Sequence, residues 1–374
     1  MDSYLRYFDN SATSFPKPPE VKEYICNYLA SGGTYGRGAY PRIIEATSMV
    51  EEAREKICNI LSAQKPENVV FTSGSTEAIN TILYGLHLID KVILVSPLEH
   101  NAVMRPIQAL SLKQNTKYLV LEHYSDGTIN VERIKSQLSQ NVALVVVNHQ
   151  SNVNGVIQPI EAIKREIGII PILVDASQSM GTVSINVDKD NLDFVAFTGH
   201  KGLMGPTGTG GFYLANPALI SPLLYGGTGS NSDSFELPEA MPDKFQAGTP
   251  NLLGLSGLLG ALNARVERRH TKEDYLSLLQ SVRNIKNIDC FSGNNPDQIG
   301  EVFSFRIVNE NPGITAHKLY SEFGIETRSG LHCAPLAHKT LGSFPTGLVR
   351  ISLSPYHTTN DLGFLLLALK HLAK

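Results

Sequence analysis

Between residues 68 and 197 the apolar positions fall into short, nearly unbroken runs separated by stretches of helical periodicity. The runs are NVVFT (68–72), KVILV (91–95), VALVVV (142–147), IPILV (170–174) and LDFVAF (192–197). A strand that is apolar on both faces needs cover on both. These runs therefore predict a mostly parallel sheet between layers of helix, an α/β architecture. In such sheets ligands bind at the carboxyl ends of the strands.

Ahead of the sheet, residues 4–10 read as an extended piece that turns through 11–19. Pro18 and Pro19 suit a first helical turn, and Val21, Tyr24, Ile25, Tyr28 and Leu29 repeat at helical spacing until Gly32 and Gly33. The following loop, SGGTYGRGAYPR, offers Tyr35, Arg37 and Tyr40, which either line a pocket or only cover it. An amphipathic helix over 44–61 reads as structural. Beyond Pro250, NLLGLSGLLGALNARVERR (251–269) predicts one long helix with small residues for close packing, and 302–308 reads as a strand. The expected division is a large domain over 12–254 and a small one made of 1–11 and 255–374.

Composition narrows the partners. A chain of 374 residues, 42% hydrophobic and 18% charged, can bury a sizeable core. Its net charge of -3 gives no footprint for nucleic acid or an anionic membrane. The N-terminus lacks a basic region followed by an apolar run, and the segments 252–264 and 362–372 are too short and interrupted to span a bilayer. Cys26, Cys58, Cys290 and Cys333 show no CxxC pair, which speaks against a disulfide framework or structural zinc and leads to the expectation of a cytoplasmic protein with reduced thiols.

The chemistry-bearing residues cluster at the predicted strand ends. Gly74, Ser75 and Thr76 precede a helix expected near Glu77, as an ordinary N-cap or as a cup for phosphate. His100 follows Glu99 as a ring able to stack or a hydrogen-bonded loop residue, and Asn152 and Asn154 carry the same ambiguity. Asp175 ends an apolar strand, where an unpaired carboxylate is costly, and Gln178 follows it. No HExxH, paired histidines or carboxylate cluster accompanies it, which argues against metal.

In FTGHKGLMGPTGTGG (197–211), Lys201 stands on a glycine-spaced turn at a strand end, a placement that suits phosphate binding, imine formation or a plain turn lysine. The glycines there precede a strand-like GFYL, so they make a poor dinucleotide fingerprint, and Lys201 lacks the flanks of a P-loop. Taken together, the lysine, the carboxylate, the hydroxyl-rich helix start and the histidine fit pyridoxal phosphate (PLP), with an acid holding the ring nitrogen protonated. In RSGLHCAPLAH (328–338), Gly330 and His332 beside Cys333 suggest a mobile loop and a neighbour able to favour thiolate. Zinc held by His332, Cys333 and His338, a cysteine-protease arrangement, or an inert buried thiol are the other readings.

The motifs FTGHKGLMGPTGTG, VDASQS, SPLEHNAV, TSGSTEAIN, FQAGTPN and RSGLHCA together resemble the group II cysteine desulfurases and selenocysteine lyases, in the class V aminotransferase branch of the PLP-dependent transferases of fold type I. The resemblance runs from YFDNSAT to VRISLSPY. It implies that Lys201 carries the cofactor as an imine, His100 stacks on its ring, Asp175 meets the ring nitrogen and Gln178 the ring hydroxyl. It implies Ser75, Thr76, Thr198 and His200 around the phosphate, and Asn152 and Arg350 on the substrate. Thr249 would reach a neighbouring subunit's phosphate, which implies a homodimer, and Arg37 and Tyr40 fall in an active-site loop. Cys333 would attack the sulfur of L-cysteine, releasing alanine and keeping a persulfide for an acceptor protein or reductant. Leu331 and Tyr40 stand where histidines are frequent, which leaves selenocysteine, cysteine sulfinate or another class V lyase or aminotransferase reaction as the alternative.

Overall fold

The computed structural model describes residues 5–36 and 38–374. Its larger sheet contains β1 (Val69–Thr72), β2 (Val92–Val95), β3 (Lys117–Val120), β4 (Val142–Asn148), β5 (Ile172–Asp175), β6 (Phe194–Thr198) and β7 (Gly210–Leu214). The order is β1-β7-β6-β5-β4-β2-β3, and every strand except β7 runs the same way. β3 carries no apolar-run signal because it is an edge strand with three of its four residues exposed.

The period of two sorts each strand between two cores. Val145, Val147, Val174, Val195 and Phe197 face one side, while Leu144, Val146, Leu173, Phe194 and Ala196 face the other. The first side is covered by α2 (Pro41–Ile60) and α6 (Ile160–Ile167), the second by α3 (Ser75–Gly85) and α4 (Asn101–Gln114). α1 (Pro19–Ser31) lies outside on α7 (Leu252–Asn263), close enough that a Cβ on Gly260 would stand 2.5 Å from the Glu20 carbonyl oxygen. α5 (Ile134–Gln137) is a single turn.

Two expectations change here. The helix over 251–269 stops at Asn263. Beyond it the chain forms ties that a continuing helix would forgo: Arg268 and His270 both reach Glu301, and the Arg269 N–H donates to the Pro355 carbonyl. The boundary at 255 also shifts, because α7 gives Leu255, Leu258 and Leu259 to the core of the large body.

The smaller body is an antiparallel sheet, β10-β11-β9-β8, of β8 (Ile288–Phe291), β9 (Val302–Ile307), β10 (Arg328–Gly330) and β11 (Leu348–Ser352). On one face lie α8 (Lys272–Arg283), α9 (Pro312–Phe323) and, after the short α10 (Pro335–Thr340), α11 (Thr359–Leu372). Capping boxes at Thr271/Asp274 and Thr358/Asp361 start α8 and α11. Leu278, Val282, Leu319 and Leu365 pack there on Phe303, Phe305, Val349 and Ile351.

Phe8 joins the same core, stacked on His357, and Tyr7 and Asp9 bridge to Glu326 and Ser352. Strand alternation then turns Arg350 and its cross-strand neighbour Ser304 away from this core, toward the large body. Their bonds land on the carbonyls of Asn152 and Val153.

Candidate active site

A cavity of about 320 Å³ opens where the carboxyl ends of β4, β5 and β6 meet the start of α3 and the β10–β11 edge of the small body. Ser75, Thr76, His100, Asn152, Asp175, Gln178, Thr198, His200, Lys201 and Arg350 all line it.

Its inner end is built for an anion. β7 places Gly210 between Thr72 and Thr198, and a Cβ on Gly210 would lie 2.5 Å from the Gly74 Cα. Only glycine lets the turn before α3 settle there. The N-cap of α3 is Gly74 itself, without a side-chain cap bond, so the first N–H groups of the helix and the Ser75 and Thr76 hydroxyls remain for a ligand. This differs from the ordinary cap that the sequence also allowed. His200 adds a buried Nδ1 without a partner among the described residues. Burial and the cations Lys201 and Lys17 draw its pKa down to about 4, so it is neutral.

The turn carrying Lys201 is clamped from the N-terminal segment. The His200 carbonyl accepts from the Ser14 N–H, the hydroxyls of Thr13 and Ser14, and Lys17 Nζ at 3.0 Å. Thr13, Ser14 and Lys17 carry no local signal of this role, since only the tertiary structure brings them to this carbonyl. Burial lowers the Lys201 amine from the usual 10.5 to about 8; Asp175 opposes the shift, and Arg350 and Arg328 add to it.

Asp175 is buried at the end of β5, where its Oδ1 accepts from both the N–H and the hydroxyl of Ser177. That answers the cost of a carboxylate at an apolar strand end. Gln178 donates to the Ser11 carbonyl at 2.9 Å, which fixes its amide against the cavity wall. His100 caps α4, its Nδ1 accepting from the Ala102 N–H at 3.0 Å. Burial takes its pKa down to about 4, leaving a neutral ring of fixed orientation.

At the outer end, β10 pairs with β11 so that Arg328 stands opposite Arg350. Arg350 is buried and bonds Asp9 Oδ1 at 2.5 Å and the Asn152 carbonyl, while its Nε has no partner among the described residues. Asn152 donates to the His332 carbonyl and leaves its Oδ1 unpartnered. The unused groups are thus a donor on Arg350, suited to a carboxylate, and an acceptor on Asn152, suited to an amino group, both on residues that line the cavity. Asn154, by contrast, is a strut, donating to the Asp126 carbonyl.

The neighbour of the Cys333 sulfur differs from the sequence expectation. His332 is buried, its Nε2 lies 3.2 Å from the Arg328 carbonyl, and burial with Arg350 drives its pKa down to about 2. It is a neutral ring stacked on His338 and carries no charge to favour thiolate. The cation at the sulfur is Arg328, whose guanidinium donates to Sγ at 3.4 Å. The loop is also tied: the Asn101 N–H donates to the Cys333 carbonyl at 2.8 Å. Arg328 escaped the sequence reading because nothing local marks it; only the β10–β11 register does.

Of the expected residues that the structure describes, Tyr40, Thr249 and Cys333 do not line the cavity. Arg37 lies outside the described residues. Tyr40 is exposed at the N-cap of α2, where the turn holds it toward solvent. Thr249 is exposed in the turn before α7. Among the described residues no three His, Cys, Asp or Glu side chains come together in a way that could hold a metal ion.

Residues 6–365 match the family model for class-V aminotransferases. A probable cysteine desulfurase of Methanothermobacter thermautotrophicus is 33% identical, over 97% of this chain and 92% of its own length. The apo structure of the cysteine desulfurase from Thermococcus onnurineus superposes with a TM-score of 0.90 at 30% identity, covering 98% of this chain and 94% of that one. An Escherichia coli cysteine desulfurase in an S-sulfonic acid form gives 0.84 at 26% identity, with coverage of 98% and 94%.

Proposed function

We propose that this chain, which belongs to the class-V aminotransferase family, is a PLP-dependent cysteine desulfurase that converts L-cysteine to L-alanine and keeps the sulfur as a persulfide on Cys333. The observation that carries this reading is one cavity lined by Lys201, Asp175, Arg350 and Arg328, with the Arg328 guanidinium donating to the sulfur of Cys333 just beyond that lining.

The residues present fit the cofactor. Ser75, Thr76, Thr198, His200 and the first turn of α3 would hold its phosphate, and the unpartnered His200 Nδ1 supports that assignment. Asp175 would meet the ring nitrogen, Gln178 the ring hydroxyl, His100 the ring face and Lys201 the aldehyde carbon. When bound, PLP takes up the electron pair released at the substrate Cα.

The chain's own residues do the rest. Arg350 Nε and Asn152 Oδ1 orient the substrate through its carboxylate and amino group. Lys201 Nζ, with its pKa near 8, takes the Cα proton and later returns a proton to carbon. Arg328 steadies the Cys333 sulfur as thiolate while Sγ attacks the substrate sulfur. The new S–S bond forms as the C–S bond breaks, the carbon keeps the electron pair, and alanine leaves after protonation.

Exposed Leu223, Leu224, Tyr225 and Phe235, together with Thr249 outside the cavity of its own chain, support a homodimer covering this face. The four free cysteines support a reducing, cytoplasmic setting.

The test is to give the PLP-loaded protein cysteine, selenocysteine or alanine and to measure alanine, sulfide, selenide and pyruvate. Cys333→Ala should lose persulfide and alanine formation from cysteine while keeping the visible absorption of the bound cofactor. Undiminished sulfur transfer by that variant would falsify the assignment. A wild-type protein that acts on selenocysteine alone would move the substrate to the selenium analogue.

A further inference from the structure

Cys333 does not line the inner cavity. It lines a second one, of about 410 Å³, walled by Thr76, Asn80 and Tyr84 of α3 and Asn101, Arg105 and Ala109 of α4. The two cavities share Thr76, His100 and Ala102, so they adjoin along one shared wall. The volume is that of a small-ligand site.

The backbone around Cys333 is held at both residues of the turn. The Asn152 amide donates to the His332 carbonyl at 2.9 Å, and the Asn101 N–H donates to the Cys333 carbonyl at 2.8 Å. With the backbone held there, the side-chain torsion is the freedom left to the Cys333 sulfur. Arg328, which lines the inner cavity, bonds Sγ and so links the sulfur to that cavity.

The outer cavity has a definite charge. Among the described residues its lining holds hydroxyl, amide and imidazole groups and one cation, Arg105, with no Asp or Glu. Arg105 is exposed and makes no ion pair or hydrogen bond among the described residues. His100 on the shared wall is neutral, so it adds no second positive charge beside Arg105.

Building on the proposed desulfurase reading, we propose that the outer cavity is the delivery site for sulfur, taking a small anionic thiol whose carboxylate pairs with Arg105. The acceptor thiolate attacks the outer sulfur of the Cys333 persulfide. A new S–S bond forms on the acceptor, the bond between the two sulfurs of the persulfide breaks, and Cys333 leaves as thiolate, ready for another cysteine. The exchange is redox-neutral and needs no further reactant.

The PLP-loaded protein is first given cysteine without any acceptor, and alanine and the mass of Cys333 are followed through a single turnover. Mercaptopropionate, mercaptoethanol and cysteamine are then compared as acceptors at low salt, with rates corrected for each thiolate fraction. The anionic thiol should exceed the neutral one in kcat/KM by about threefold or more, the range expected of one solvated ion pair. Arg105→Gln should remove that preference and Arg105→Glu should turn it toward cysteamine, with single-turnover alanine unchanged in both.

Equal kcat/KM for the three thiols, or an anion preference that survives Arg105→Gln, overturns the delivery site. Failure to form the Cys333 persulfide in the first stage instead overturns the desulfurase reading, so the two failures are distinguishable.

Discussion

Asp9 and Arg350 form an ion pair at 2.5 Å that ties the N-terminal segment to the last strand of the small sheet, with the guanidinium almost fully buried. Asp9 thus occupies one end of the guanidinium, while Nε is left without a partner. The pairing keeps a buried cation compensated before any substrate arrives.

Arg350→Lys should therefore keep a positive charge but lose the planar fork that holds both Asp9 and a carboxylate. The expected result is a rise in KM for cysteine of about tenfold to a hundredfold, the worth of one to two strong charge-assisted bonds, with a smaller change in kcat. Steady-state kinetics on the loaded enzyme check this. An unchanged KM would remove Arg350 from substrate binding.

The Lys201 amine predicts the pH dependence of cofactor uptake by the protein freed of PLP. Only the unprotonated amine adds to an aldehyde, so the rate should climb with pH and level off near 8, below the 10.5 of an ordinary lysine. Asp175 opposes the depression, so Asp175→Asn should level off at a still lower pH. Stopped-flow absorbance reads both curves.

Glu99 gives a second pH effect. It is fully buried between β2 and β4, its Oε1 accepting from the Ser96 hydroxyl and the Asn148 N–H, and burial raises its pKa from 4.5 to about 8. The folded state holds this proton between those values and the unfolded chain does not. Its contribution to stability must accordingly fall as pH rises from about 4.5 through 8. Glu99→Gln, a neutral mimic of the acid, should lose that slope, so melting curves of the two proteins should diverge in the mutant's favour toward pH 8.

Gly210→Ala forces a methyl group to within 2.5 Å of Gly74 in a fixed backbone turn. A loss of about 1–3 kcal/mol of stability is expected from such overpacking. The phosphate end of the site should suffer beyond that, with the cofactor released faster on gel filtration. Retention equal to wild type would remove the cradle from the argument.

The sheet and half the site were legible along the chain because their causes are local. Apolar runs name the buried strands, strand ends name the mouth, and Asp175 and the Lys201 turn stand at those ends as residues a buried strand end does not otherwise tolerate. The β7 reversal, the early end of α7 and the edge strand β3 were less visible, because each depends on what packs beside it.

Tertiary structure alone decided the rest. No local pattern sets Arg328 opposite Arg350, joins Asp9 to a residue near the other terminus, or places Cys333 in the lining of the outer cavity. Nor does it tell that His332 sits beside Arg350 in a site dry enough to keep it neutral. Periodicity and composition act over a few residues, whereas strand register, desolvation and charge pairing depend on segments far apart in the chain. Local pattern names the groups that are available; long-range packing sets their partners and their charge.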